Sequence, residues 1–157
     1  MTLAKRGVGG KVRLIAMDVL RIVVATAFLL AGVFKIFDNT AGMGGIHKFA
    51  SLIGLHQMIP DGWAIFAAYA VVTTELVIGL GLLIAMNTRA WGWFAIGVLV
   101  VFTTYLIIVW MRLGNVDCGC FGKHFPASAR AGIIRNTILA FSISPWLLHK
   151  SSKVRAL

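Results

Sequence analysis

The chain has 157 residues, of which 59% are hydrophobic and only 13% are charged, whereas soluble domains carry about 25% charged residues. This composition excludes an ordinary water-soluble enzyme and predicts an integral membrane protein with the lipid bilayer as a partner. The net charge of +10 predicts contact with anionic headgroups and no nucleic-acid partner, because the basic residues lie in the tails and near the ends of apolar runs.

Four apolar runs predict four transmembrane helices in a single membrane domain, residues 1–157. A helix of about 20 residues crosses the hydrocarbon core, so four spans with short connections use nearly the whole chain. The predicted spans are about 14–37, 63–86, 91–113 and 127–149. Tryptophans near the span ends are typical of membrane interfaces, namely Trp63, Trp91, Trp93, Trp110 and Trp146. The predicted fold class is all-α, an integral membrane four-helix bundle.

The first span also resembles a cleaved signal peptide, because Ala25-Thr26-Ala27 is similar to a cleavage site. Asp18 and Arg21 interrupt the apolar region that such a peptide needs, so we favour a membrane helix. The tail before this span is clearly basic, with Lys5, Arg6, Lys11 and Arg13. Because cytoplasmic flanks carry an excess of Lys and Arg, we expect cytoplasmic termini in a bacterial inner membrane and an extracytoplasmic cysteine loop.

The connection after the first span is long and rich in glycine, and it predicts a short interfacial helix. Apolar residues recur there at helical spacing, opposite polar ones, as in helices that lie on a membrane. The apolar face has Ile46, Phe49, Ala50 and Ile53, and the polar face has His47, Lys48 and Ser51. Pro60 and Gly62 mark the exit of this connection.

Charged residues inside the predicted spans need partners. Glu75 falls midway along the second span, where an ionised carboxylate is costly unless it is paired or hydrated. We expect Arg21 to reach towards it, with Asp18 as an alternative partner of Arg21 one turn away. The pair is either a structural clamp or part of a proton- or quinone-handling site. For Lys35, snorkelling or a local ion pair with Asp38 is a sufficient explanation.

Two further features of the spans predict contacts. Arg135 lies about two turns into the fourth span on the cysteine side, where it could stabilise a thiolate, a partner's carboxylate or the packing of its own helix. Gly79 and Gly81, together with Ala85, predict a close approach between helices, because small residues let membrane helices come near each other.

The two cysteines, Cys118 and Cys120, lie in the predicted loop 114–126 and are the candidate catalytic residues. A CxC pair can close a disulfide only in a turn, and Gly119 permits the unusual backbone angles that a turn requires. Such a ring is strained and therefore easily reduced, which is a property of exchange-active bridges. The neighbouring carboxylate of Asp117 opposes thiolate formation.

Other interpretations of the loop remain open. It could be an inert clip or hold two free thiols without a task. A metal site from Cys118, Cys120 and His124 lacks an obvious fourth ligand and the usual zinc spacing, so we expect no metal. Lys123 and His124 would favour a thiolate and therefore support the redox interpretation.

These residues together resemble the MauE family, the methylamine-utilisation branch of the DoxX-like four-helix membrane proteins, over about residues 14–148. The pattern consists of Arg21, Phe28, Ala31-Gly32, Lys35, Pro60, Glu75-Leu76, Gly79-Leu80, Cys118-Gly119-Cys120-Phe121-Gly122 and Arg135-Asn136. Its first half is shared by DoxX-like proteins generally, and the cysteine motif points to MauE. The resemblance implies maturation of an exported enzyme, the disulfide-rich small subunit of methylamine dehydrogenase, alongside a thioredoxin-like partner.

We therefore predict a component of thiol-disulfide exchange, in which Cys118 or Cys120 forms a mixed disulfide with a partner's sulfur. Such a component would be part of a thiol-disulfide oxidoreductase, with a client enzyme subunit as a partner and a quinone as the candidate cofactor. One alternative is a non-catalytic membrane anchor or assembly subunit. Another is a membrane protein that binds a quinone or small solute around Glu75. With one cysteine pair, the chain must meet both redox partners in turn or use another protein's redox centre.

Overall fold

The computed structural model describes residues 3–37, 44–57, 59–84, 88–116 and 128–148. The helices in these ranges are α1 (Leu3–Phe37), α2 (Gly45–Leu55), α3 (Ala64–Ile84), α4 (Thr88–Leu113) and α5 (Ala129–Leu148). A 3-10 turn, Asp61–Trp63, leads directly into α3. The described part of the chain has no β-strand, which confirms the predicted all-α class.

Within the described ranges, three stretches are long and apolar enough to cross a membrane, namely Ile15–Phe37, Ala64–Ile84 and Arg89–Leu113. Even the 21-residue stretch on α3 is about 32 Å long at 1.5 Å per residue, which matches the thickness of the hydrocarbon core. Large apolar side chains are exposed on these helices, for example Phe66 and Val101, each about 65% exposed. Exposed apolar surface of this extent is typical of a protein surrounded by lipid, and the chain is a membrane protein.

Two glycines determine how closely α1 and α3 pack. A Cβ atom added at Gly32 would lie 2.9 Å from Leu76 Cδ2, and one at Gly79 would lie 2.6 Å from Leu29 Cγ and 3.1 Å from the Ala25 carbonyl oxygen. Leu76 of α3 therefore lies against Gly32 of α1, whereas the later residue Gly79 lies against the earlier residue Leu29. The two helices run antiparallel. The glycines let their backbones approach, as small residues do between membrane helices.

The remaining long helices complete one apolar core. A Cβ atom at Gly81 would overlap the Trp91 ring, so α4 lies directly against α3 at this point. α5 packs along α4 and also contacts α1. Their buried side chains form one cluster, made by Val24, Phe28, Ile78, Leu82, Leu99 and Ile143 among others. The close contact predicted for Gly79 and Gly81 is confirmed, and Ala85 lies outside the described residues.

The short helix predicted in the first connection is α2. It buries Ala50 and Ile53 against Ala64 and Ala68 of α3, while His47 on its other face is exposed. This one-sided burial follows the alternation of apolar and polar residues at helical spacing. As a result α2 covers the beginning of α3.

The ends of α4 and α5 that flank residues 117–127 are held together. The Ala129 N–H donates a hydrogen bond to the Val116 carbonyl oxygen at 2.9 Å. One residue further, the Arg130 guanidinium lies 4.9 Å from the centre of the Trp110 ring, within the range of a cation-π contact. The chain therefore leaves α4 and enters α5 at neighbouring points.

Replacing Gly79 by leucine is expected to destabilise the helix pair by about 1–3 kcal/mol, because overpacking forces side chains and backbone to shift. Leu29 can rotate away from the new side chain, but the backbone oxygen of Ala25 cannot. The measurement is helicity during titration with sodium dodecyl sulfate in mixed micelles. Gly97→Leu is the matched control, since a Cβ atom at Gly97 meets nothing within 4 Å. Equal midpoints for the two variants would contradict the packing argument.

Candidate functional site

A buried ion pair joins α1 to α3. Lys35 Nζ lies 2.7 Å from Glu75 Oε1 and 2.8 Å from Oε2, and it also donates to the Ala31 carbonyl oxygen at 3.4 Å. Both charged residues are only 3% exposed. The ring of Phe49 from α2 lies 5.2 Å from the ammonium group and covers it. Neither lipid nor core can hydrate these charges, so each one stabilises the other.

The antiparallel register of α1 and α3 explains why Lys35 is the partner. Glu75 faces Gly32, whose Cβ position lies 3.6 Å from the Glu75 Cβ, and Lys35 is one turn further along α1. Arg21 precedes Lys35 by 14 residues, which is about 21 Å along a helix, so its side chain cannot reach Glu75. The predicted Arg21–Glu75 pair is therefore wrong.

Arg21 lies towards the other end of the helices. It lines a small space with Leu82 and Ser142, and its Nε is buried without a hydrogen-bond partner among the described residues. The explanation of Lys35 as a snorkelling side chain is also wrong, because its ammonium group turns inwards to Glu75. Asp38, the alternative partner, lies outside the described residues.

Helix α5 brings a second cation to the ion pair. Arg135 donates from Nε and Nη2 to Asn136 Oδ1, at 3.2 and 2.9 Å. Arg135, Lys35 and Glu75 line the same cavity. Among the described residues, the charged lining of the cavity therefore consists of two cations and one carboxylate.

Asn136 contributes an unsatisfied donor to this cavity. It is 1% exposed, and its Nδ2 has no hydrogen-bond partner among the described residues. Because Arg135 donates to Oδ1, the amide must turn its NH₂ group the other way. A buried donor without an acceptor is costly, and an oxygen atom placed in the cavity would satisfy it.

The cavity has a volume of about 210 Å³ and is lined by residues from all five helices. Its walls are mostly apolar, with Phe49, Val71 and Phe102 among them. Besides the charged group and Asn136, it has one polar pair, His56 and Tyr105, whose Nδ1 and Oη share a hydrogen bond of 2.7 Å. An apolar pocket with a few convergent polar groups is the usual form of a small-molecule site.

A groove between α3 and α4 continues from the cavity. It has a volume of about 570 Å³ and shares Val71, Val101 and Phe102 with the cavity. Its other lining is largely apolar and includes Trp93 and Thr74. Val101 and Trp93 are exposed, so the groove reaches the surface that faces lipid.

Of the residues predicted for the site, the structure brings together Glu75, Lys35 and Arg135 and leaves Arg21 apart. The predicted site residues Asp117, Cys118, Gly119 and Cys120 lie outside the described residues. His124, which was considered as a metal ligand, also lies outside them. Within the described ranges, no group of three His, Cys, Asp or Glu side chains could hold a metal ion.

Sequence reasoning missed three polar residues of the cavity. Asn136 was included in the family pattern beside Arg135 but was assigned no role. A polar amide within an apolar helix is itself an indication of a functional site. His56 follows the last turn of α2, and Tyr105 interrupts an apolar run of α4. In the sequence, no motif around His56 or Tyr105 distinguishes these residues from polar residues at the membrane interface.

A comparison with known proteins identifies the family of the chain. A family model described as methylamine utilisation protein MauE matches residues 13–149. The chain belongs to the MauE family. The match contains every residue named above for the cavity, and it confirms the resemblance predicted from the residues. Searches of curated proteins and of solved structures found no match.

In this MauE protein, Glu75→Gln is expected to be more damaging than Lys35→Met. The first change leaves two buried cations without a carboxylate and should cost about 3–5 kcal/mol of stability. The second leaves Glu75 with Arg135 as a counter-charge and should cost less. The measurement is again the helicity midpoint in sodium dodecyl sulfate titration.

The double variant Lys35→Met/Glu75→Gln tests the coupling directly. It should be more stable than the sum of the single changes predicts, because no unpaired member of the pair remains. Thr104→Val is the control, since this exposed hydroxyl bonds only to its own helix at Val100. Strict additivity of the two single changes would show that the ion pair is not coupled.

Proposed function

We propose that this MauE-family protein is a membrane component of thiol-disulfide exchange that supports disulfide formation in an exported protein. Cys118 and Cys120 are the only cysteines of the chain, and they stand two residues apart in the segment between α4 and α5. Family membership supports a place in methylamine utilisation. The client would then be the disulfide-rich small subunit of methylamine dehydrogenase, and the second partner a thioredoxin-like exported protein.

The observation that carries the proposal is the hydrogen bond from Ala129 to Val116. It fixes the two flanks of the cysteine segment to each other, at the end of α4 and the beginning of α5. Because α1 and α4 each run antiparallel to α3, the end of α4 lies on the same side as Lys35 near the end of α1. The cysteine segment therefore starts and finishes at the end of the helices that contains the buried charges and the cavity.

The exchange proceeds through a mixed disulfide. A thiolate of the client attacks one sulfur of the Cys118–Cys120 bridge, and the second client thiolate then displaces the cysteine. One S–S bond forms in the client, and the bridge is reduced to two thiols that take up the two protons of the client. Gly119 permits the turn that this small ring needs, and Asp117 limits thiolate formation in the reduced state.

The proposed arrangement is a four-helix bundle in a bacterial inner membrane, with α5 as the fourth span and α2 at the outer interface. Helix α5 has 20 residues, about 30 Å, and two of its polar side chains, Arg135 and Asn136, line the cavity. Helix α2 keeps one polar face exposed. The basic tail before the first span supports cytoplasmic termini and an extracytoplasmic cysteine segment.

Redox titration tests the exchange function. We expect Cys118 and Cys120 to interconvert between dithiol and disulfide in one two-electron transition, at a potential above the roughly −300 mV below which structural bridges lie. Alkylation mass shifts of protein in nanodiscs, equilibrated at a series of thiol potentials, provide the measurement. A bridge that never opens, or thiols that never pair, would leave the anchor or assembly role.

Trapping identifies the client. Either single variant, Cys118→Ser or Cys120→Ser, should accumulate a reducible adduct with the oxidised client, because its remaining thiolate attacks the client's disulfide and the second cysteine of the chain, which would resolve the mixed disulfide, is missing. The double variant should form none and should fail to support the client's disulfides in cells. Thr104→Val is the matched hydroxyl control and should behave as wild type. Full client maturation by the double variant would exclude exchange.

Orientation is tested by labelling. In intact spheroplasts, a membrane-impermeant maleimide should label Cys118 and Cys120 after treatment with an impermeant phosphine, because the segment is expected outside. A green fluorescent protein fused after the C-terminus should fluoresce, since it folds in the cytoplasm. Labelling that requires permeabilised cells would reverse the proposed topology.

A further inference from the structure

The electrons that the cysteine pair receives must leave it again, and the described cavity has the features of a site for their acceptor. We propose that the cavity binds the head group of a membrane quinone and that the α3–α4 groove holds its prenyl tail. This inference rests on the proposed exchange function for its redox role, but the binding site itself consists only of described residues.

The first observation is the need for an oxygen acceptor in the cavity. Asn136 Nδ2 is buried without a partner among the described residues, and it lines the cavity. A quinone carbonyl oxygen beside it would accept the missing hydrogen bond, with Arg135 held alongside by Asn136 Oδ1.

The second observation is that polar groups occur on two different walls. Helix α5 supplies Arg135 and Asn136, while Tyr105 of α4 and His56, the residue after the end of α2, form the second polar pair. A quinone has two oxygens at opposite edges of a flat apolar ring, which matches two polar walls separated by apolar side chains such as Phe102. A fatty acid has only one polar end and could contact only one of the two walls.

The third observation is the charge. Lys35 and Arg135 line the cavity together with Glu75, and a cation beside a bound oxygen stabilises negative charge that develops on it. In the redox step the two thiols of the cysteine pair lose two electrons and two protons and form one S–S bond. The quinone takes up both electrons and both protons and becomes the quinol.

The fourth observation is the shape of the site. The cavity of about 210 Å³ is smaller than a typical ligand pocket, so it suits a head group rather than a whole molecule. The groove shares Val71, Val101 and Phe102 with it and reaches the lipid-facing surface. An apolar tail that leaves the cavity beside these shared residues would therefore lie along α3 and α4.

The test measures quinone binding in the Cys118→Ser/Cys120→Ser variant, in nanodiscs of phosphatidylcholine prepared without quinone. Ubiquinone-2 and menaquinone-2 are the probes, and the readout is the rise of the unfolding temperature with probe concentration. We expect saturable stabilisation by at least one of them, equal in the double variant and in wild type. Oleate, as the fatty-acid competitor, should neither stabilise the protein nor displace the probe.

Variants of the cavity locate the site. Asn136→Leu and Tyr105→Phe should each weaken binding about tenfold, the equivalent of one lost hydrogen bond. Thr104→Val, beside Tyr105 but exposed, should leave binding unchanged. Val71→Trp, at the junction of cavity and groove, should weaken ubiquinone-2 more than the tail-less ubiquinone-0. If Asn136→Leu fails to fold, Tyr105→Phe gives the same test with the ring retained.

The outcomes separate the two proposals. Absence of quinone binding in both proteins, or equal binding and displacement by oleate, would overturn the quinone site. Quinone binding that none of the three cavity variants weakens would overturn it as well. Binding as predicted, in a wild-type protein whose cysteines never exchange, would overturn only the exchange function. With both intact, reduced wild-type protein should lose two thiols for each quinol formed.

Discussion

The contact between Lys35 and Glu75 is the constraint on which the rest of the structure depends. A carboxylate in the middle of an apolar helix is tolerated only with a counter-charge at hydrogen-bond distance, and Lys35 provides it at 2.7 Å. The contact requires α1 and α3 to lie close together, and Gly32 makes this possible. It also requires a cover over the ammonium group, which Phe49 of α2 supplies. Through Phe49, α2 therefore also contacts the ion pair of Lys35 and Glu75.

The second cation gives the site its chemical character. Arg135 brings a second cation to the apolar cavity in which Lys35 already pairs with Glu75. A structural clamp needs one cation for one carboxylate. The additional Arg135, the unsatisfied Asn136 amide and the His56–Tyr105 pair go beyond that need, and they converge on one cavity. In lipid, such groups mark a ligand site more often than a packing device.

The sequence was sufficient for the all-helical class, the membrane environment and the MauE family, because length and composition of apolar runs determine which segments prefer lipid. It was not sufficient for the partner of Glu75. Hydropathy gives the approximate depth of a residue but not the register between two helices, and here Gly32 and Gly79 determine that register through contacts across 40 or more residues. His56 and Tyr105 were missed for a related reason, since their meeting depends on how α2 lies across α3 and α4.

The sequence distance between Lys35 and Glu75 has a consequence for biogenesis. The chain is made from its N-terminus, so α1 enters the membrane before α3 has been synthesised. Lys35, two residues from the end of α1, can keep its ammonium group at the headgroups during this interval. Glu75 then arrives in the middle of α3 and finds its counter-charge already in place. Helix α3 is thereby expected to insert against α1, which is already in the membrane, and α5 joins an assembly whose most costly charge is already neutralised.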